Sequence, residues 1–283
     1  MAGLKSLSRR QGEIGVGDYL RSTMPETEFR ASHPNHFRRW EDAVVDGVSL
    51  DLIEADFGGG SGNELQGDPP KFCAAYSSSA LCANVFGPAR SCPGWLHFDG
   101  LHGFTEFQFE KKLVTGLGGT PPNLDFVATS PDSILAVESK FLETLGRKVP
   151  KFADSYRRAY AGCGCERLNA AYEAVAFGEV SFSSLDAAQL LKHALGIVCY
   201  RNHAGAVPSS LYLGYVFWEP ENWRDFRIFR QHREELEQFS ALIERSKVEF
   251  RPLSYLDLWD SWRSRSESRT HALSVERRYR LTL

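Results

Sequence analysis

Two carboxylates and an amine stand near one another in the middle of the chain: Asp125, then Glu138, then Lys140. Hydrolysis of a phosphodiester needs neutralised phosphate charge, a positioned water and a stabilised leaving oxygen. Mg²⁺ prefers oxygen ligands and keeps several waters, so two carboxylates with water and a substrate phosphate make a suitable site. A lysine beside them can orient and polarise the attacking water. The bland alternative is a surface acid with a weak Glu–Lys salt bridge on a solvated face. A rival spacing lies earlier, where Asp99 is followed by Glu110, Lys111 and Lys112.

Such residues act together only if the chain brings them to one face. LDFVA and SILAVESKFL read as apolar strands, and TSPD between them reads as a turn. With TSPD as the tip, Ala128 opposes Ser133 and Asp125 opposes Ala136. Side chains alternate along a strand, so Asp125, Ala136, Glu138 and Lys140 share a face while Leu135, Val137 and Ser139 take the other. Asp125 and Glu138 become diagonal neighbours, roughly 7–8 Å apart at the backbone. A turn one residue longer or shorter reverses that parity. Burying three ionisable groups among Phe126, Val127, Ile134, Leu135 and Val137 is costly unless they pair or bind metal. The Asp99 set is interrupted by GLHGF and ends on a visibly amphipathic strand, so the later set is preferred.

Other elements must frame this hairpin. A helix is expected around Asn35–Val45, followed by FGGGSGNELQGDPP, which lacks the G-K-[ST] ending of a phosphate loop and reads as a flexible linker. KFCAAYSSSALCANVFGPAR reads as a helix stopped by Gly87 and Pro88. In FTEFQFEKKL, Phe107 and Phe109 alternate with the polar Glu106, Gln108, Glu110 and Lys112, the period of a half-buried strand. GLGGTPPN is expected as loop. FADSYRRAYAG and SLDAAQLLKHALGIVCYRN read as helices, the second with an apolar stripe. SLYLGYVFW reads as a buried strand, Phe229–Lys247 as a charged helix, and VEFRPLSYLDLWDSW as a last strand or turn.

Net charge is −3, which gives no overall attraction to a polyanion. Arginines do cluster near the end, at Arg263, Arg265, Arg269, Arg277, Arg278 and Arg280, with smaller pairs at Arg38–Arg39 and Arg157–Arg158. Such clusters fit phosphate contacts, although a solvated surface is the commoner explanation. Six cysteines in this length make no disulfide framework, and the Cys163–Cys165 pair lacks the partners of a zinc site. The histidine pairs His33/His36 and His97/His102 also lack metal partners and read as surface or capping residues. No apolar run is long enough to span a membrane and no secretory h-region opens the chain, so the expected address is the cytoplasm with no membrane partner.

At PNLD ending in Asp125, and at the E-S-K of Glu138, Ser139 and Lys140, the chain resembles the PD-(D/E)XK nuclease superfamily. The wider run over residues 70–260 (SSSALCANVFGP, EFQFE, the hairpin, AAQLLKHAL, YLGYVFWEP) is similar to a bacterial family of restriction-endonuclease-like proteins. The resemblance implies an α/β core in the order αβββαβ, a central mixed sheet flanked by helices. Residues 1–69 would then be an N-terminal extension and 261–283 an arginine-rich tail. It implies Mg²⁺-dependent, endonucleolytic hydrolysis of DNA, with Mn²⁺ as a substitute, RNA not excluded, and a homodimer compatible. Asp125, Glu138 and the Ser139 carbonyl would hold the ion and Lys140 would assist the water. Many members take another acid from the first helix, where SSSALCANVF offers none, so Glu110 or Glu106 is the nearest substitute. Gln189 and His193 are similar to the Q-x-x-x-Y element of some exonuclease-like branches, with His for Tyr, although an ordinary helix explains them as well. The alternative is an inactive module of the same fold that binds nucleic acid or a protein.

Overall fold

The computed structural model describes residues 4–58, 63–117, 121–203 and 209–283. Residues 59–62 of the expected glycine-rich linker and 118–120 of the GLGGTPPN loop lie outside the described residues. Helices α1 (Arg9–Thr23), α2 (Leu50–Gly58), α3 (Ser78–Phe86) and α4 (Pro88–Ser91) precede strands β1 (Glu106–Lys112), β2 (Asn123–Thr129) and β3 (Ser133–Lys140). Helices α5 (Ser155–Gly162), α6 (Glu166–Ala176) and α7 (Ala187–His203) lead to β4 (Ser210–Phe217), then α8 (Arg227–Ile243), β5 (Glu249–Ser254), α9 (Tyr255–Arg263) and α10 (Arg269–Tyr279).

The five strands form one mixed sheet in the order β1-β2-β3-β4-β5. The first two pairings are antiparallel and the last two parallel. Helices cover both faces, as a parallel half requires. One core lies between α1–α4, α9, α10 and the face bearing Phe109, Phe126, Ala128, Leu135 and Val137. The other lies between α5–α8 and the face bearing Val127, Ile134, Ala136, Leu213 and Tyr215. This is a restriction-endonuclease-like α/β core.

Several local expectations differ from the fold. No α-helix occupies residues 35–45, where only a 3₁₀ turn forms at Glu41–Ala43. The first helix is α1, opened by a reciprocal cap between Ser8 and Gln11 that satisfies otherwise orphaned donors. The stretch around SSSALCANVF splits into a 3₁₀ turn at Lys71–Cys73 and α3, which begins where Ser77 accepts from the Ala80 N–H. Gly87 and Pro88 divide α3 from α4.

The hairpin register also shifts. Ala128 pairs with Leu135 and Thr129 with Ile134, so Pro131 and Asp132 alone form the loop. Ser130 stitches this tip: its N–H donates to the Ser133 carbonyl at 2.9 Å and its hydroxyl accepts from the Ser133 N–H at 3.1 Å. Strand β2 therefore runs on past Ala128 through Thr129 to the Ser130–Ser133 contact, while β3 starts at Ser133 as expected. The shift is two positions in the register, so the parity survives and Asp125 comes opposite Glu138 instead of diagonal to it.

The C-terminal arginines are folded in. Arg280 bonds Glu221 and Asp260 at 2.8 Å each, and Glu276 as well. Arg278 donates to the Ala43 carbonyl at 2.6 Å, and Arg263 lies 3.5 Å from Glu276.

Candidate active site

Strand β3 supplies the centre. Its pairing with β4 puts Glu138 beside Tyr215 and Lys140 beside Phe217. Glu138 is 2% exposed, and Lys140 keeps 12% of its side-chain area in solvent. Burial at this level is tolerable because the two form an ion pair. From α7, His193 Nε2 lies 2.9 Å from Glu138 Oε2. The contact lacks hydrogen-bond geometry, so Glu138 Oε2 and both ring nitrogens are left without a hydrogen-bond partner. Buried orphan atoms of this kind are rare and mark a site built for something else.

Asp125 is half-buried on β2. Its Oδ2 accepts the Ser139 N–H at 2.6 Å, which ties the carboxylate to the strand that carries Glu138 and Lys140. The far side of Ser139 is fixed too, because its hydroxyl lies 2.7 Å from the Tyr255 hydroxyl, fully buried at the start of α9. On β1, the pairs Phe109–Phe126 and Lys111–Leu124 leave Glu110 across from Asp125. Glu110 has φ of 51°, the left-handed region that few non-glycine residues adopt, and it accepts from the Asn123 side-chain amide. From α2, Asp56 accepts the preceding Phe109 N–H at 3.0 Å. Strands β2 and β3 thus bring Asp125, Glu138 and Lys140 together, with Glu110 at the matching position of β1.

Charge follows from these contacts. Burial, reinforced by the neighbouring Glu138 charge, pushes the Asp125 carboxyl well above its ordinary range. Burial also raises Glu110, against the pull of Asn123. For Glu138, burial would raise the pKa, but Lys140 and His193 outweigh it and hold it at about 2. For Lys140, burial would lower the pKa, but Glu138 and Asp125 outweigh it and keep the ammonium protonated. The site holds more carboxyl groups than its one lysine can pair, so Asp125 and Glu110 resist ionising until a cation compensates them.

The donors fit a hard divalent ion in an open site. Among the described residues, no group of three or more His, Cys, Asp or Glu side chains is placed to hold a metal ion as a cage of its own. Mg²⁺ does not need such a cage, since it is commonly held by one or two carboxylates with waters and substrate phosphate completing the shell. Asp125 and the orphaned Glu138 oxygen provide that minimum. A cleft of about 380 Å³ is lined by Arg9, Glu64, Lys71, Ser77–Ser79 and Glu143 but by none of the trio; from its wall Glu64 acts electrostatically on Glu110, and Glu143 on Lys140.

The rival set is not assembled. Asp99 pairs with Arg251 of β5 at 3.0 Å, at the opposite edge of the sheet from Glu110 on β1. Gln189 is half-buried one turn before His193, and its backbone N–H donates to Asp186 Oδ1 at 3.0 Å. Glu106 is exposed and meets the Thr129 hydroxyl at 3.3 Å. Cys163 and Cys165 are free thiols. Tyr255 and Asp56, which position Ser139 and β1, carry no signal in the sequence because each acts from a segment far along the chain.

A mixed sheet between two helical layers, with a half-buried Asp facing Glu-x-Lys across adjacent strands, defines a restriction-endonuclease-like protein. Residues 39–280 match the model of the family described as Restriction Endonuclease associating with ARP. The chain belongs to that family. No curated protein and no solved structure matches it. No helix among the described residues is long and apolar enough to cross a membrane.

Proposed function

We propose that this protein is a Mg²⁺-dependent nuclease that hydrolyses DNA phosphodiester bonds, acting endonucleolytically, in the cytoplasm. The observation that carries the reading is the Asp125 carboxylate pinned by the Ser139 N–H, opposite a buried Glu138 whose Oε2 has no hydrogen-bond partner. Asp125 and Glu138 would hold the ion, with the Ser139 carbonyl and Glu110 as further oxygen donors and Mn²⁺ as a working substitute. When bound, the ion supplies Lewis-acid polarisation of the phosphate and neutralises its charge.

The chain's own groups do the rest. Lys140 is held as an ammonium, so it orients the attacking water and steadies phosphate charge as a donor, without taking the water's proton. His193 packs against Glu138 and limits its swing. The family's description names an association with ARP, and we carry that over as a partner relation alongside a compatible homodimer.

The test is incubation of purified protein with plasmid and linear DNA in Mg²⁺, Mn²⁺ or EDTA. Metal-dependent cutting is expected, reduced about 10²–10³-fold in Lys140→Ala, the scale of losing one electrostatic stabiliser, and abolished in Asp125→Asn. DNA binding without cutting in any metal would instead identify an inactive module.

A further inference from the structure

The segment that leaves β3 carries cations that the fold does not use. Between residues 147 and 158 stand Arg147, Lys148, Lys151, Arg157 and Arg158, with Asp154 as the sole acid. Lys148 is half-buried and the other four are exposed. Among the described residues, none of the five makes an ion pair or a side-chain hydrogen bond. The C-terminal arginines behave differently: Arg263, Arg265 and Arg280 are paired with acids, and Arg269 and Arg278 donate to carbonyls. A net-acidic chain that leaves five cations unpaired in twelve residues offers a local polyanion surface that its total charge conceals.

This segment is tied to the site. It follows Lys140 after one 3₁₀ turn at Glu143–Leu145. The Lys148 N–H donates to the Ser183 carbonyl at 2.8 Å. Lys192 of α7 lies over the Phe152 and Tyr156 rings, 5.3 and 5.6 Å from their centroids, and donates to the Lys151 carbonyl. Lys192 is the residue before His193, which touches Glu138. The cationic stretch is therefore clamped against the helix that borders the catalytic carboxylate.

We propose that residues 147–158 form the track on which the substrate's sugar–phosphate backbone runs to the Asp125–Glu138 site. This rests on the nuclease reading. Arg157 and Arg158 on α5, with Arg147 and Lys151 on the loop before it, contact phosphates and leave the bases unread. The track supplies affinity and direction without sequence selectivity.

The experiment uses the full chain, a fluorescein-labelled duplex, fluorescence anisotropy in EDTA and in Ca²⁺, and a salt titration. Arg157→Glu/Arg158→Glu and Lys148→Glu/Lys151→Glu should each bind at least tenfold more weakly, with circular dichroism unchanged. The slope of log affinity against log salt should flatten by about 0.9 for each phosphate that the variant no longer neutralises. Arg277→Glu, an exposed cation on α10 across the sheet, should match the wild type. Equal affinity and slope in the charge-reversed pairs, beside a wild type that binds, overturns the track and leaves the nuclease reading intact. Weaker binding in those pairs by a wild type that cuts nothing supports the track while removing the nuclease. A wild type that binds no duplex, or binds anionic phospholipid vesicles through these residues instead, overturns the track outright.

Discussion

With its carboxyl pushed upward by burial and by Glu138, Asp125 resists ionising in the metal-free protein. Its fold therefore favours the protonated form, and the stability this contributes is present below the ordinary carboxyl value of about 3.9 and lost as pH rises through the elevated one. Glu138 has the opposite sign: held at about 2, its contribution is present above its ordinary value and lost only as pH falls toward 2. Asp125→Asn keeps an acceptor for the Ser139 N–H while removing the cost of burying an ionisable carboxyl beside Glu138. Thermal melting in EDTA at neutral pH should place Asp125→Asn a few degrees above the wild type, since each unit of displaced pKa is worth about 1.4 kcal/mol. The gap should shrink as pH is lowered toward 4. Saturating Mn²⁺ should reverse the order, because ligand at about 100 times its Kd stabilises the binding form by roughly 2.7 kcal/mol and the variant has lost half of its carboxylate pair. A variant that melts below the wild type in EDTA would remove the case for repulsion at this site.

At the scale of elements, the site depends on strands that sit close and in register. Gly214 of β4 shows how tight that packing is: a Cβ there would meet the Phe98 ring at 3.0 Å and Leu135 and Val137 at 3.2 Å. Gly214→Ala must push β3 or the Phe98 loop aside, an overpacking cost of about 1–3 kcal/mol. Urea denaturation should show the midpoint falling with an unchanged slope, and cutting should weaken more than the stability loss predicts because Glu138 and Lys140 move with β3. An unchanged midpoint would mean the loop gives way freely. The alternation of Phe126, Val127, Ala136 and Val137 made both strands and their shared face legible in the sequence. The register was not, because it depends on whether Ser130 belongs to the strand or the turn, and its hydroxyl contacts are visible only in three dimensions. The contact between His193 and Glu138 joins residues on separate elements, and Tyr255 reaches Ser139 from still further along the chain. No local period encodes either. Element order is legible in the sequence, whereas α1 is not, because its glycines at 12, 15 and 17 dilute the apolar stripe.

Across the whole molecule, the sheet separates two cores, and α1 and α10 pack on the same side of it. Val16 and Leu20 of α1 and Ala272, Val275, Tyr279 and Leu281 near the C-terminus are buried in the core that also holds Phe126 and Val137. Polar contacts lock that closure. The Asn84 amide donates to the Tyr279 hydroxyl at 2.7 Å while its oxygen accepts the Val45 N–H at 2.8 Å, and the Trp218 indole donates to the Tyr279 carbonyl at 2.7 Å. The C-terminal arginines Arg263, Arg278 and Arg280, which in sequence read as a solvated surface or as phosphate contacts, thus serve to fasten α10. Truncation after Ser268 separates these roles. It removes the buried side chains of Val275, Tyr279 and Leu281, worth about 1.5–3 kcal/mol each, and leaves Asn84, Trp218 and Glu221 short of partners. The sum is comparable to a whole domain's stability of about 5–15 kcal/mol. The truncated chain should therefore melt more than about 10 °C lower, the scale set by about 2–4 °C per kcal/mol in a chain of this size, or fail to accumulate as soluble protein. Arg277→Glu in the full chain should melt with the wild type. If α10 were a detachable tail, truncation would leave melting unchanged and lower only the salt-dependent affinity for DNA.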